Sequence, residues 1–427
     1  MSSTESSNYR SDLARRSDLA RFIKIRWPIL LATLGPGLTV MLADTDAGSV
    51  ITAAQSGALW GYKLLWIQFA LIPVLYLVFE LTIRLGLTTR KGHGELIKEQ
   101  LGTKWAWLSV TTLFVAAIGA LVTEFIGIAG AGLIFGISPF ETVPVAALGL
   151  ILITLSKRYH RVELIAIFIG LFELAFIPAM FTAHPDPTAL LHSLYENLPL
   201  GNTSYWYLIA ANVGAVIMPW MVFYQQGAVI DKGLSDKVLN YSRIDTAVGA
   251  VLTQIIMAVI LVLTGATIGL ADPNASLTTV QQISVTLTPL VGTYGGRVLF
   301  ALGISGAALV AAYVVSLAVS WAFGEVMCFT RSLNCSWREA PAFYGLYSAG
   351  IIVAAVLVLI GQSLVSLCIA VQVLNALLLP IVLGFLLALG WKVLPEKYRL
   401  HRWEKSALLV IYVLLSALAV STILQLL

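Results

Sequence analysis

Charge is what this chain has least of: Asp, Glu, Lys and Arg make up 11% of its 427 residues, against about 25% in ordinary soluble domains. Cysteine is scarcer still. Cys328, Cys335 and Cys368 have no metal-ligand spacing and frame no disulfide scaffold. The five histidines fall mainly outside the apolar runs, so neither a thiolate nor an imidazole cage is on offer there. No long polar stretch exists to make a sizeable soluble domain. No nucleophile–base pair or cofactor motif occurs in or between the apolar runs, so neither an enzyme nor a cofactor is expected. What the chain does have is apolar surface: 59% of its residues are hydrophobic and the mean hydropathy is +0.89. A β-barrel would show short alternating segments instead. The expected class is an all-α polytopic membrane protein.

Eleven apolar segments can be read, near 28–58, 64–84, 107–133, 143–156, 163–182, 205–229, 246–270, 298–328, 343–361, 364–391 and 406–427, most about as long as a bilayer crossing requires. Residues 1–26 form a polar, basic tail, expected to be cytoplasmic. The distribution of Lys and Arg tests this arrangement. With the N-terminus inside, 24 of the 26 fall on the cytoplasmic side, and only Lys63 and Arg297 fall outside. An excess of that size fixes orientation and puts the C-terminus outside. The connections 183–203 and 271–297, rich in Pro, Asn, Ser and Thr, are expected as long external loops. Asn274-Ala-Ser276 fits a glycosylation sequon, a pattern common by chance.

Two of these segments are broken in the middle. Leu34 to Ser49 (LGPGLTVMLADTDAGS) holds Asp44 and Asp46 among three glycines and a proline. An acid at the centre of a bilayer costs roughly 3 kcal/mol on insertion scales, and Gly and Pro make poor helix interior. A stretch apolar enough to span, yet interrupted and doubly acidic, reads as an unwound helix whose carbonyls and carboxylates face a cation. In the sixth segment, Asn212 to Trp220 places Gly214 and Pro219 mid-run. The missing N–H of Pro219 predicts a break near Met218. Breaks in the first and sixth segments are what two five-helix repeats of opposite topology would give: 27–182 and 203–391, with a further helix at 404–427. Substrate in such carriers binds near the midplane, between the two unwound stretches.

These residues resemble the NRAMP family of divalent-metal transporters over nearly the whole chain. Gly35-Pro-Gly37, then eight residues, then Asp46-Ala-Gly-Ser49 parallels the family's Gly-Pro-Gly and Asp-Pro-Gly-Asn spacing. Gly61-Tyr62, Leu64-Leu-Trp66, Arg84-Leu-Gly86, Thr123-Glu-Phe-Ile-Gly127 and Gly214-Ala-Val-Ile-Met-Pro219 follow in order, and Gln372-Val373 with Pro380 looks like the tenth helix. The resemblance implies a LeuT-like inverted repeat with an eleventh helix, and a metal held by the first and sixth. Carried over by position, Asp46 is the anionic ligand, Ser49 stands where the family has Asn, Ala215 offers a carbonyl, Met218 a thioether, and Gln372 faces the site. The sequence also departs from the family. Trp220 and Gln225 occupy positions where the family usually has His, and Leu121 replaces an Asp before the third-helix acid. Those groups are associated with proton movement. Their replacement, with the extra acid Asp44, is similar to the NRAMP-related branch associated with magnesium.

Asp44, Thr45, Asp46, Ser49 and the Ala215 carbonyl form an oxygen set suited to a hard dication. Two readings stay open for Asp44, a metal contact or a cap on freed backbone N–H groups. Two also stay open for Met218, a soft ligand or a filler of core gaps. Glu124 is expected to be a cavity acid, with Thr45 and Gln225 along the ion pathway. Glu80 and Arg84, four apart, are expected to pair. Glu173 has no partner in its own segment. The expected function is inward transport of a divalent cation (Mg²⁺ before Mn²⁺) across a bacterial-type inner membrane, not proton-coupled by the family's usual route. A Na⁺- or H⁺-coupled amino-acid carrier, a proton-coupled Mn²⁺/Fe²⁺ carrier and a non-transporting metal sensor are the alternatives. The partners expected are the transported ion and the lipid bilayer; no nucleic acid or obligatory protein partner is expected.

Overall fold

A computed structural model describes residues 40–41, 43–155, 168, 171–193, 198–270, 276–333, 335–361 and 364–426. The basic tail, Gly35-Pro-Gly37, the 157–161 loop, the start of the fifth segment and Asn274 lie outside the described residues. Nearly everything described is helical. The elements that matter here are α1 (Ala47–Trp60), α2 (Leu65–Thr89), α3 (His93–Gln100), α4 (Thr103–Ile134), α5 (Pro139–Leu155), α6 (Phe176–Thr182), α7 (Thr203–Val216), α8 (Pro219–Asp231), α9 (Leu239–Thr264), α10 (Thr288–Met327), α11 (Pro341–Ile360), α12 (Leu364–Lys392) and α13 (Arg402–Leu426). Among the described residues, eight stretches are long and apolar enough to cross a membrane, α7 and α8 counting as one; α5 and the 171–182 stretch are shorter apolar helices.

The interrupted segments lie at the heart of the bundle. In the most apolar window of the α7–α8 stretch, 89% of residues are buried inside the protein, against 22% for α13. The last helix is therefore a lipid-facing outrider on α12, whereas the broken one is enclosed. α1 packs on α7, α9 and α12, and α4 packs on α10 and α12, closing a ring around the interruptions.

The end of α2 differs from expectation because hydropathy ends a segment at its first charge, but a paired charge does not end a helix. α2 continues past Arg84 to Thr89. Arg84 donates to Glu80 Oε2 and Glu404 Oε1, both at 2.6 Å, and Arg243 reaches Glu80 Oε1 at 2.7 Å. The Glu80–Arg84 pair expected from spacing is present, inside a larger network that joins α2, α9 and α13. The 276–297 stretch is no open loop either. It contains a short helix, Gln281–Ser284, and α10 already begins at Thr288, its axis bent at Gly292 (φ 74). The 183–203 connection carries the short helix Pro187–Ser193.

Between α2 and α4, the short helix α3 is bound from several sides. Glu325 Oε2 accepts from Gly94 N at 2.8 Å, and Gln226 Nε2 donates to Lys91 O at 2.8 Å. His93 is fully buried beside Phe223, its Nδ1 3.2 Å from Gln226 Oε1. Burial pushes its imidazole down to about 4, and the Gln226 contact offsets only part of that shift.

Candidate functional site

The first interruption is short. Asp44 is still helical, Thr45 bends, Asp46 is extended (φ −78, ψ 173), and α1 starts at Ala47. A helix start exposes N–H groups that need acceptors. Asp46 Oδ1 takes that of Ser49 at 2.6 Å, and Glu124 Oε2 on α4 takes that of Ala47 at 3.3 Å. The cap is thus Asp46, not Asp44, which removes the capping alternative for Asp44. Both are fully buried. Neither oxygen of Asp44, nor Oδ2 of Asp46, has a hydrogen-bond partner among the described residues. Such atoms are costly unless something completes them.

The second interruption falls where Pro219 predicts it. α7 ends at Val216, Ile217 (φ −119, ψ 83) and Met218 (φ −88, ψ 139) are non-helical, and Pro219 opens α8. Its missing N–H costs nothing at that position. The two breaks touch: Ser49 Oγ donates to the freed carbonyl of Ala215 at 2.9 Å. Gly214 allows the contact with α12, because any side chain there would collide with the Gln372 carbonyl. Gly48 plays the same part for the Gln372 side chain, whose Nε2 lies over it without a partner among the described residues. Gln372 Oε1 accepts from Asn375 Nδ2 at 2.9 Å.

Met218 is buried, and its sulfur accepts from Trp220 Nε1 at 3.2 Å. Glu124 lies beside the Asp46 carboxyl and also receives Thr123 Oγ1 at 3.2 Å. Gln225 is not in this group: its Nε2 is 3.4 Å from Thr246 Oγ1 on α9. Glu173 meets the Thr45 hydroxyl, and its Oε1 has no hydrogen-bond partner among the described residues. Among the described residues, no cation pairs with Asp44, Asp46, Glu124 or Glu173. Nor do three His, Cys, Asp or Glu side chains converge there on one metal position. A cation here would take a mixed shell of carboxylate, hydroxyl, carbonyl and water oxygen rather than a carboxylate cage.

Two features were missed in the sequence. One is the Thr45–Glu173 contact, which needs tertiary structure to see. The other is a polar bridge in which Gln68 Nε2 donates to Asn212 Oδ1 at 2.7 Å and Asn212 Nδ2 donates to Ser56 Oγ at 2.8 Å. Amides in apolar runs carried the signal for the bridge, since buried polar groups seek one another.

A family model described as "Natural resistance-associated macrophage protein-like", Nramp, matches residues 37–425. The chain belongs to the Nramp family. This Nramp chain is 27% identical over 386 residues to the divalent metal cation transporter MntH of Aeromonas hydrophila, covering 87% of this chain and 90% of that one. A manganese transporter from Eremococcus coleocola has a similar structure, with TM-score 0.76 at 18% identity over 94% of this chain and 88% of that one. A Na⁺-coupled sialic acid symporter superposes with TM-score 0.60 at 12% identity, covering 92% and 89%. At those identities the likeness carries the fold alone, and the fold is LeuT-like.

Proposed function

We propose that this Nramp protein carries a divalent cation into the cytoplasm by alternating access, binding it where the two interrupted segments meet. The observation that carries this reading is the Ser49–Ala215 bridge beside carboxylate oxygens of Asp44 and Asp46 that no group among the described residues satisfies. Asp46 Oδ2, Asp44, Ser49 Oγ and the Ala215 carbonyl are the proposed ligands, with Gln372 and Met218 at the border of the site. Thr45, Glu124 and Gln225 are proposed along the ion's route.

Mg²⁺ is the proposed preference, with Mn²⁺ close behind. The Met218 sulfur is engaged by the Trp220 indole and the buried Cys368 thiol lies on the Gly48 carbonyl, so the ligands proposed are hard oxygen. The relatives named above are a divalent metal cation transporter and a manganese transporter, which supports the dication class. Proton coupling by the family's usual route is proposed to be absent, because Trp220, Gln225 and Leu121 stand where titratable groups would be needed. Coupling is not required energetically. A membrane potential of about 100 mV contributes roughly 4.6 kcal/mol to a dication, enough for about thousandfold accumulation. Eleven crossings of a plasma membrane, N-terminus inside and C-terminus outside, complete the proposal, supported by the Lys and Arg asymmetry.

Proteoliposomes test it. Under an inside-negative potential, vesicles containing the protein take up Mg²⁺ and Mn²⁺ with no accompanying acidification. Uptake of labelled amino acids without metal flux would move the assignment to the amino-acid carrier, and a robust proton signal would remove the uncoupled part.

A further inference from the structure

A polar cavity of about 460 Å³ opens at the end of the bundle that carries Arg84, between α2, the start of α9 and the α12–α13 connection. Its floor is the buried Glu80–Arg84–Glu404–Arg243 network, two acids against two guanidinium groups. Arg243 keeps part of its guanidinium exposed, with Nε on Glu80 and Nη1 3.5 Å from Asn240. The rim adds Lys237, Lys397 and Arg399, all exposed. Arg399 is paired at 3.4 Å to Glu396, and Asp236 accepts from Tyr398 at 2.7 Å. Lys397 lies over the Tyr398 ring, 4.9 Å from its centroid, while Lys237 has no ion pair or side-chain hydrogen bond among the described residues. Setting Asp236 against one lysine leaves one positive charge over. One monoanion balances it.

The surroundings say where such an anion would come from. Trp391 and Trp403 are exposed on either side of the α12–α13 connection, the placement of an interfacial aromatic belt. Ile244, Val248, Val251 and Ile255, one stripe of α9 starting beside Arg243, are all exposed. In a membrane protein, an exposed apolar stripe faces acyl chains. The cavity therefore sits at headgroup depth, basic at its mouth and open to lipid along one wall.

We infer that this cavity binds the phosphodiester headgroup of an anionic phospholipid, with Lys237, Lys397 and the free edge of Arg243 on the phosphate and the α9 stripe along an acyl chain. Basic pockets between helices at a membrane face take such headgroups. The site is separate from the cation site and does not depend on which ion is carried.

Native mass spectrometry of the purified full-length protein, with dioleoylphosphatidylglycerol or dioleoylphosphatidylcholine added in detergent, tests this. Retention of the anionic lipid is expected to exceed that of the zwitterionic one at least about fivefold. It should fall by about fivefold per lysine removed in Lys237→Gln/Lys397→Gln. Lys237→Arg/Lys397→Arg is expected to retain the lipid, which separates charge from folding. Equal retention of the two lipids, or undiminished phosphatidylglycerol in the Gln variant, would overturn the site. Displacement of the lipid by an equal concentration of inorganic phosphate would overturn the lipid as its occupant.

Discussion

Two buried clusters of charge lie in this bundle and follow opposite rules. At the α2–α9–α13 corner, Glu80, Arg84, Arg243 and Glu404 satisfy one another through short charge-assisted hydrogen bonds. At the paired interruptions, Asp44, Asp46, Glu124 and Glu173 share a small buried region without one basic partner among the described residues. Burying charge is expensive in both places. Only the first cluster repays the cost within the protein, so the first reads as structural. The second is left for a ligand to complete, and a cation is the ligand whose charge does so.

The largest effect expected from breaking this contrast is on stability. Arg84→Met takes the cation from Glu404 and leaves Glu80 to Arg243 alone, and is expected to cost about 3–5 kcal/mol, read as a drop in thermal midpoint in detergent. The protein that remains folded should transport normally. A loss of transport beyond the loss of folded protein would make the corner part of the site.

Next is the pH dependence of the α3 anchor. His93 is held down to about 4 in the folded protein against about 6.5 in the unfolded chain, so the unfolded state binds more protons between those values. Stability is therefore full above about pH 6.5, falls as pH drops towards 4 and levels below it. The contribution is up to about 3 kcal/mol. His93→Gln should flatten that slope in pH-dependent unfolding, and an unchanged slope would remove His93 as its source.

Smaller again is Ser49→Ala, which deletes the bridge to Ala215. One hydrogen bond is worth about 1 kcal/mol, so initial uptake should fall about fivefold with little change in thermal midpoint. Trp220→Phe is the gentlest probe. It frees Met218 sulfur while keeping an aromatic ring in place, and the ratio of Mn²⁺ to Mg²⁺ uptake should rise about two- to tenfold, the worth of a single neutral hydrogen bond. An unchanged ratio would make Met218 a packing residue.

How much of this was legible in the sequence depended on the range of each interaction. Both breaks were, because the missing N–H of Pro219 and the Asp-rich, Gly-rich run before α1 act locally. The Glu80–Arg84 pair was readable from its spacing. Its partners Glu404 and Arg243 lie far along the chain and were not. Counting Arg84 as a loop charge also cut α2 short by a turn. The connection ahead of residue 298 misled through its composition: its Pro, Asn, Ser and Thr read as loop chemistry, yet α10 already begins at Thr288, takes Pro289 into its first turn and is bent at Gly292. At the site, Asp46, Ser49 and Ala215 could be placed together by the family pattern. The Asp46 cap on the Ser49 N–H spans only three residues, whereas the meeting of Glu173 with Thr45 is a fact of tertiary packing.

The most direct test is uptake by Asp46→Ala in proteoliposomes, measured beside its thermal midpoint. Removing the carboxylate should reduce Mg²⁺ and Mn²⁺ uptake by more than about a hundredfold, beyond the effect typical of groups that merely support a metal ligand, while the protein stays folded. Uptake within a few-fold of the unaltered protein would contradict a cation site at the paired interruptions.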